Sequence, residues 1–535
     1  MQYLRLFTCI QLLFIIPNVT ATHTQQQQQQ QRQVPSNVST ANHVFNAIHN
    51  SMRQFGSSLN HNGLSFFLAT VPQGTEYYHG TSSPNRINDT QWLAFEPEHA
   101  LIFARPHMRP PKDGKGAPGR PPPSGPPPSR RLHRDSAIPP QRPLQVPGDT
   151  RSNPDSRGYL HTYRTRHPLR LLYLDGQSAA KSTKGTLDTQ DIVLRPIFPP
   201  SAAPLPPSGP MDESARAADL CTLANATFAN RIHGILRMEG GFEVILCSFA
   251  EHLQLVNVVA VDTPQRFGPG ARGSAGMDYY RAVEARNWDI GGGRVRLDYD
   301  AMVSVFEYPE ALTWDETERP RVVNDSKVLG GLRQEVVRMV KKGRPEGSRD
   351  WQAVVDLIIG RYGRRIEYIT AGNVKTMKDL KSELELALRP FVDAERRDAA
   401  AEARRCAAQF WPADVADDEQ GTAVRAVRET YETLCQTLVE AAYAETFNRG
   451  MTIMKQLKDW LGWSTWKQCK GCEAHEVCLL PIWPIGGVQD FEQPECVDEI
   501  PFRGKHAGYW DDFGGPPPHD GDRDREPPND THSIW

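Results

Sequence analysis

Leu169-Arg-Leu-Leu-Tyr-Leu174 is a short run in which Arg170 alone is polar. Its Leu and Tyr content reads as a strand with both faces covered, central in a sheet. Upstream, Gly158-Tyr-Leu-His-Thr-Tyr163, Trp92-Leu-Ala-Phe95 and Leu64-Ser-Phe-Phe-Leu-Ala69 have the same texture, with Gly74 and Pro84 as turn markers and a short helix expected from Glu98 to Ala104. Downstream, Ala217, Leu220, Cys221, Ala224, Phe228 and Ile232 fall at helical spacing within Ser214–Leu236, and Phe242–Phe249 and Leu253–Val261 read as strands. A glycine-rich loop covers Gly268–Gly276, and Val295–Phe306 is a further β element. Residues 61–325 are therefore expected to form a mixed α/β domain. Two Pro-rich insertions interrupt it, at 106–157 (with Arg120-Pro-Pro-Pro-Ser-Gly-Pro-Pro-Pro128) and 196–212, whose composition favours extended solvated chain.

The texture turns helical from Ser326. Trp351, Val354, Val355, Ile358, Ile359 and Tyr362 trace one helix face, and Thr376 with Asp379 forms a capping box with Asp in place of Glu. Two long helices are expected, Thr376–Gln409 and Thr422–Trp460, the second striped by Val424, Val427, Tyr431, Leu434, Leu438 and Ala442. A helical hairpin or bundle over 326–463, a Cys-rich module over 464–500 and an acidic Pro/Gly-rich tail over 501–535 complete an α+β organisation.

The chain has 535 residues, with 61 Lys+Arg against 64 Asp+Glu and a net charge of −3. That balance lacks the positive field of a nucleic-acid binder, and no apolar run after the N-terminus is long enough to span a bilayer. Arg5, the apolar run Leu6–Ile16 and the small residues before Ala21 read as a secretory signal over 1–21, followed by a Gln-rich spacer over 22–60. Asn37, Asn88, Asn225, Asn324 and Asn529 open glycosylation sequons, in keeping with secretion to the extracellular space or cell wall. The C-terminus carries neither an ER-retention tetrapeptide nor the apolar tail of a GPI signal. Cleavage would remove Cys9 and leave eight cysteines, an even number that suits full pairing.

Cys469, Cys472, Cys478 and Cys496, with His475 among them, could suggest zinc or a redox pair, but in a secreted chain two bridges pinning a small module are the default. Cys406 with Cys435 and Cys221 with Cys247 could each close locally; the connectivity is left open. His99, His107, His161 and His167 show no His-x-x-x-His spacing, so no metal site is expected. Gly176-Gln-Ser178-Ala-Ala180 follows a strand as a nucleophile elbow would, with Ala where the motif has Gly. Ser178 and Lys181 also satisfy Ser-x-x-Lys, though no supporting Ser-Asp-Asn occurs. A serine hydrolase built on Ser178 is thus one reading, and a turn after a strand is the commoner one.

Tyr77-Tyr-His-Gly-Thr81, the strand-to-helix stretch Trp92–Ala104, the strands at 158–163 and 169–174, and Glu239-Gly-Gly-Phe-Glu243 occur in an order that resembles the ADP-ribosyltransferase fold. The resemblance implies that His79, Gly80 and Thr81 bind NAD and that Glu239 or Glu243 stabilises an oxocarbenium-like transition state. Ala94-Phe95-Glu96 departs from the family's Ser-Thr-Ser element, and neither Glu lies in an E-x-E pair. The wording of these segments, with Leu187-Asp-Thr-Gln-Asp191, Arg237–Phe249 and Glu476–Pro484, resembles an uncharacterised family of secreted proteins of filamentous fungi. That likeness implies secretion and no activity. The leading expectation is a secreted fungal-type glycoprotein to which the sequence assigns no biochemical activity; a wall or surface interaction protein and an NAD-using enzyme are the two rival readings. The enzyme reading predicts that His79 and a strand-borne Glu face one pocket. The interaction reading predicts that they diverge and that Trp463, Trp466 and Trp483 form an exposed patch.

Overall fold

A computed structural model describes residues 40–59, 63–105, 157–197, 213–261, 274–284, 293–314, 319–343, 348–416, 418–483 and 485–499. The expected signal segment, the Gln-rich run, nearly all of both Pro-rich insertions and the C-terminal tail lie outside these residues, as do Asn37 and Asn529.

The strands are β1 (Ser65–Val71), β2 (Glu76–Thr81), β3 (Gln91–Ala94), β4 (Gly158–Thr165), β5 (Leu169–Leu174), β6 (Gly234–Met238), β7 (Phe242–Leu246), β8 (Leu253–Val261) and β9 (Arg296–Ser304). They form one nine-stranded sheet in the order β8-β4-β2-β3-β7-β6-β5-β1-β9. Its ladders are antiparallel except β5 with β6, which is parallel. β5 is interior, paired on both sides, with every residue but Arg170 buried, as its near-continuous apolar run predicts. Short ladders follow, β10 (Leu312–Trp314) with β11 (Pro320–Val322) and β12 (Val477–Leu479) with β13 (Glu495–Val497).

Around the sheet lie α1 (Ala41–Asn50), α2 (Gln54–Leu59), α3 (Pro97–Leu101), α4 (Glu213–Ala226), α5 (Phe249–His252), α6 (Ser274–Glu284), α7 (Ser326–Lys342), α8 (Trp351–Tyr368), α9 (Met377–Leu388), α10 (Ala399–Ala407), α11 (Thr422–Ala442) and α12 (Phe447–Leu461). Residues 41–59, read from the sequence as spacer, thus form two helices.

Several expected boundaries move for local reasons. The helix expected over Ser214–Leu236 ends at Ala226, because Ala229 and Asn230 take positive φ (50° and 58°) and turn the chain into β6. The strand expected to reach Phe249 stops at Leu246, and Ser248 caps the single turn α5 by accepting the Glu251 N–H. Each long helix is two. Pro390 offers no N–H to extend α9, and Asp398 caps α10 by accepting the Ala401 N–H at 3.0 Å. Beyond Tyr443, Thr446 caps α12. The capping box is present: Thr376 accepts the Asp379 N–H at 3.2 Å, and its own N–H donates to Asp379 Oδ2 at 3.1 Å.

Sheet and helices share one apolar core, in which Phe66, Leu172 and Val244 from strands join Val355, Val427 and Leu434 from helices. Four disulfides close: Cys221–Cys247, Cys406–Cys435, Cys469–Cys478 and Cys472–Cys496. The first two are the local pairs foreseen, and the last two tie β12 and β13 each to the segment that precedes them.

Candidate functional site

Arg237 and Glu243 stand opposite each other in the β6–β7 hairpin, and Met238 stands opposite Phe242. Alternation along a strand sends Met238 and Phe242 to the apolar core and Arg237 and Glu243 to the other face. Arg237 Nε donates to Glu243 Oε1 at 2.8 Å and Nη1 donates to Gln190 Oε1 at 2.9 Å, while Nη2 also pairs with Glu213 at the start of α4. From Glu213 the charges continue through Arg216, which holds Asp191 through two bonds of 2.9 Å, to Arg195 and Asp219. Arg216, Arg237 and Glu243 are buried, so each charge depends on its neighbours in place of water.

At the hairpin turn the Glu239 carboxylate accepts from Lys181 Nζ at 2.7 Å, and His99 Nε2 of α3 lies 3.7 Å from its other oxygen. The turn is Gly240-Gly241 because its surroundings leave no room for a side chain. A Cβ on Gly241 would sit 2.6 Å from His99 Nδ1, and one on Gly240 would collide with the Tyr279 hydroxyl, which donates to the Gly240 carbonyl. Gln54 Nε2 donates to the Glu239 carbonyl at 3.0 Å. One oxygen each of Glu239 and Glu243 and one ring nitrogen of His99 fall within 4.8 Å of one another.

Burial works to raise the Glu239 carboxyl, but the Lys181 ammonium and His99 outweigh it and hold it below the ordinary carboxylate range. Glu213 follows the same logic: burial raises it, and Arg237, Lys181 and Arg216 pull it down further. Burial pushes the Tyr279 hydroxyl up, and the charges of Glu239 and Glu243 add to the effect, so it remains a neutral donor. Glu239 and Glu213 are thus held as carboxylates in a dry setting.

The residues expected to bind NAD go elsewhere. Tyr78 faces Ala94 across β2–β3, and Ala94 faces Glu243 across β3–β7, so His79 projects from the opposite side of the sheet to Glu243. His79 Nδ1 donates to the Trp92 carbonyl at 2.8 Å, its ring meets Phe249 and His161, and burial lowers its pKa to about 3. Gly80 exists for contact: a Cβ there would collide with the Ala100 carbonyl of α3. Thr81 is buried and accepts the Ser83 N–H at 3.3 Å. This segment therefore does not fit a dinucleotide cradle. Ser178 donates to the Leu174 carbonyl at 2.8 Å and Lys181 is spent on Glu239, so neither forms a nucleophile–base pair with the other. Trp463 is buried against Phe45 and Trp466, and Trp483 is buried beside Ala180, so the three tryptophans make no exposed patch.

Arg237 and Tyr279 complete the cluster without having been singled out, and His99 and Lys181, weighed above as a metal ligand and as the partner of Ser178, join it in another role. The visible signal was two charges, Arg237 and Glu243, set in otherwise apolar strand sequence.

Residues 24–268 match the family described as the YPL277C N-terminal domain. Two proteins of Saccharomyces cerevisiae are similar to the chain. The uncharacterized protein YOR389W is 31% identical over 248 residues, 44% of this chain and 36% of that protein. The uncharacterized protein YPL277C is 31% identical over 246 residues, 44% of this chain and 46% of that protein. The chain thus spans less than half the length of these relatives. The similarity is to uncharacterized fungal proteins, which matches the fungal and uncharacterised part of the resemblance read from the sequence. No solved structure matches the chain.

Proposed function

We propose that the protein is a secreted glycoprotein enzyme that transfers or hydrolyses a glycosyl group, with Glu239 and Glu243 as its catalytic carboxylates. The observation that carries this reading is their approach within 4.8 Å, with His99, at the end of a strand hairpin. Two carboxylates so placed favour a cationic, oxocarbenium-like transition state and suit reaction at an anomeric carbon. In this reading Glu243 meets the sugar once substrate loosens its bond to Arg237, and Glu239, paired with Lys181, supports it from the turn. NAD is the substrate class the strand order suggests. In that reaction the bond from the ribose carbon to nicotinamide breaks, nicotinamide leaves with the electron pair, and water or a target side chain attacks the same carbon and releases its proton to solvent. Because His79 faces the core, dinucleotide contacts would fall to the hairpin and to α3, which must lift for a substrate to enter. Secretion is supported by four disulfides and by the exposure of Asn88, Asn225 and Asn324.

The test is NAD calorimetry together with nicotinamide release by the purified glycosylated chain and its Glu243→Gln and Glu239→Gln variants. Saturable binding, with release falling at least 100-fold in Glu243→Gln, is the expected result. No heat at millimolar NAD and no release would sink the NAD reading. The cluster would then be an ion network that fastens the hairpin to α3 and α4, and a wall or surface interaction protein would be the remaining reading.

A further inference from the structure

Three histidines meet at the opposite end of β6 from Glu239. His167 lies in the β4–β5 turn, His233 immediately precedes β6, and His252 ends α5 just before β8. We propose that His167, His233 and His252 form a binding site for a late first-row divalent cation of the Zn2+ type, a site that does not depend on the glycosyl-transfer reading.

One ring nitrogen from each histidine lies within 4.8 Å of the other two. His252 Nδ1 is 3.2 Å from His167 Nε2, and the rings of His233 and His252 stack at 4.4 Å. With Zn–N bonds of about 2.0 Å, neighbouring ligand nitrogens in a tetrahedral site are about 3.3 Å apart, so His167 and His252 already stand at ligand spacing. His167 Nδ1 lies 3.1 Å from the Pro168 carbonyl, and with its proton there the ring turns Nε2 toward His252 Nδ1, whose proton a bound cation would displace. A divalent cation turns this convergence of three imidazoles into a ligand set.

A fourth position is within reach. Glu251 Oε2 lies 4.0 Å from His252 Nε2, the nitrogen turned away from His167, so a water would complete the tetrahedron and the carboxylate would support the His252 ring from behind. Arg170 opposes the site: its Nη2 is 3.0 Å from His233 Nε2 and its backbone N–H is 3.2 Å from Nδ1. The guanidinium stands where a cation on Nε2 would sit, so binding requires it to swing aside; its exposed position allows this at the loss of its bonds to the carbonyls of Arg231 and Asn230. The ion would tie together the β4–β8 and β5–β6 flanks, which lie on either side of β2, β3 and β7.

The full chain, stripped with a chelator, is titrated with Co2+ and then Zn2+. One Co2+ per chain with the visible bands of tetrahedral nitrogen-ligated cobalt, displaced by Zn2+, is expected, and His233→Ala or His252→Ala should weaken binding at least 100-fold. If those variants do not fold, His167→Asn in the turn gives the same readout, with the circular dichroism spectrum as the check on fold. Absence of the bands at millimolar Co2+, or uptake unchanged by the histidine substitutions, overturns the proposal.

Discussion

Lys181 and Glu239 meet at 2.7 Å where neither side chain reaches solvent. Removing the cation alone leaves a carboxylate in a dry interior, a loss far larger than that of an exposed ion pair. Lys181→Met should therefore lower the unfolding free energy by about 3–5 kcal/mol in urea titration. Adding Glu239→Gln should restore much of it. If the double variant is no more stable than the single, the pair is not the source of the loss.

Asp175 supplies a pH dependence of opposite sign to that of Glu239. Burial pushes its carboxyl up to about 7, against N–H donors from Ser65 and Leu64 that pull it down. A folded pKa above the unfolded one means that the native state holds this proton more tightly. The contribution is complete below about pH 4, the ordinary range of the group, and is lost as pH rises to about 7, on the order of 4 kcal/mol in all. Glu239, held low, works the other way: its contribution is present above the unfolded value and lost in acid. Asp175→Asn keeps an acceptor for the Ser65 N–H and has no proton to lose. Relative to the parent, its stability should gain steadily between pH 4 and 7, and urea midpoints with parallel pH profiles would count against this account.

Gly80 tests whether the His-Gly-Thr segment is structural. Gly80→Ala forces a methyl into the Ala100 carbonyl and should cost about 1–3 kcal/mol or more, read as a lower melting temperature. A variant that melts like the parent would show that α3 yields easily, which would favour ligand entry under it.

The Cys221–Cys247 bridge spans a sequence separation of 26 and pins α4 to the end of β7. Replacing both cysteines with Ala should cost about 3–4 kcal/mol in guanidinium titration. A loss below 1 kcal/mol would indicate that Arg216 and Arg237 already hold α4 to the hairpin.

The α+β class, the interior position of β5 and the Thr376 cap were legible because each rests on local chemistry: an apolar run, or a side chain reaching three residues along. β6 was not, since Gly234–Met238 follows a helix-like stripe and only the positive φ of Ala229 and Asn230 separates the two. The candidate site was half legible. Glu239 and Glu243 were singled out, whereas His99, Lys181 and Tyr279 join them through pairings distant in sequence. His79 was misplaced because a one-residue step along a strand exchanges the two faces of the sheet, and no local signal says which face is the core.

Asn46 Nδ2 in α1 donates to the Leu461 carbonyl at 2.8 Å across 415 residues of chain, and Asn42 reaches the Trp460 carbonyl in the same way. During synthesis the first helix therefore cannot complete these two bonds until α12 has emerged. Native closure is in this sense a post-translational event, and a truncation that removes α12 should strand the N-terminal half as a chaperone client.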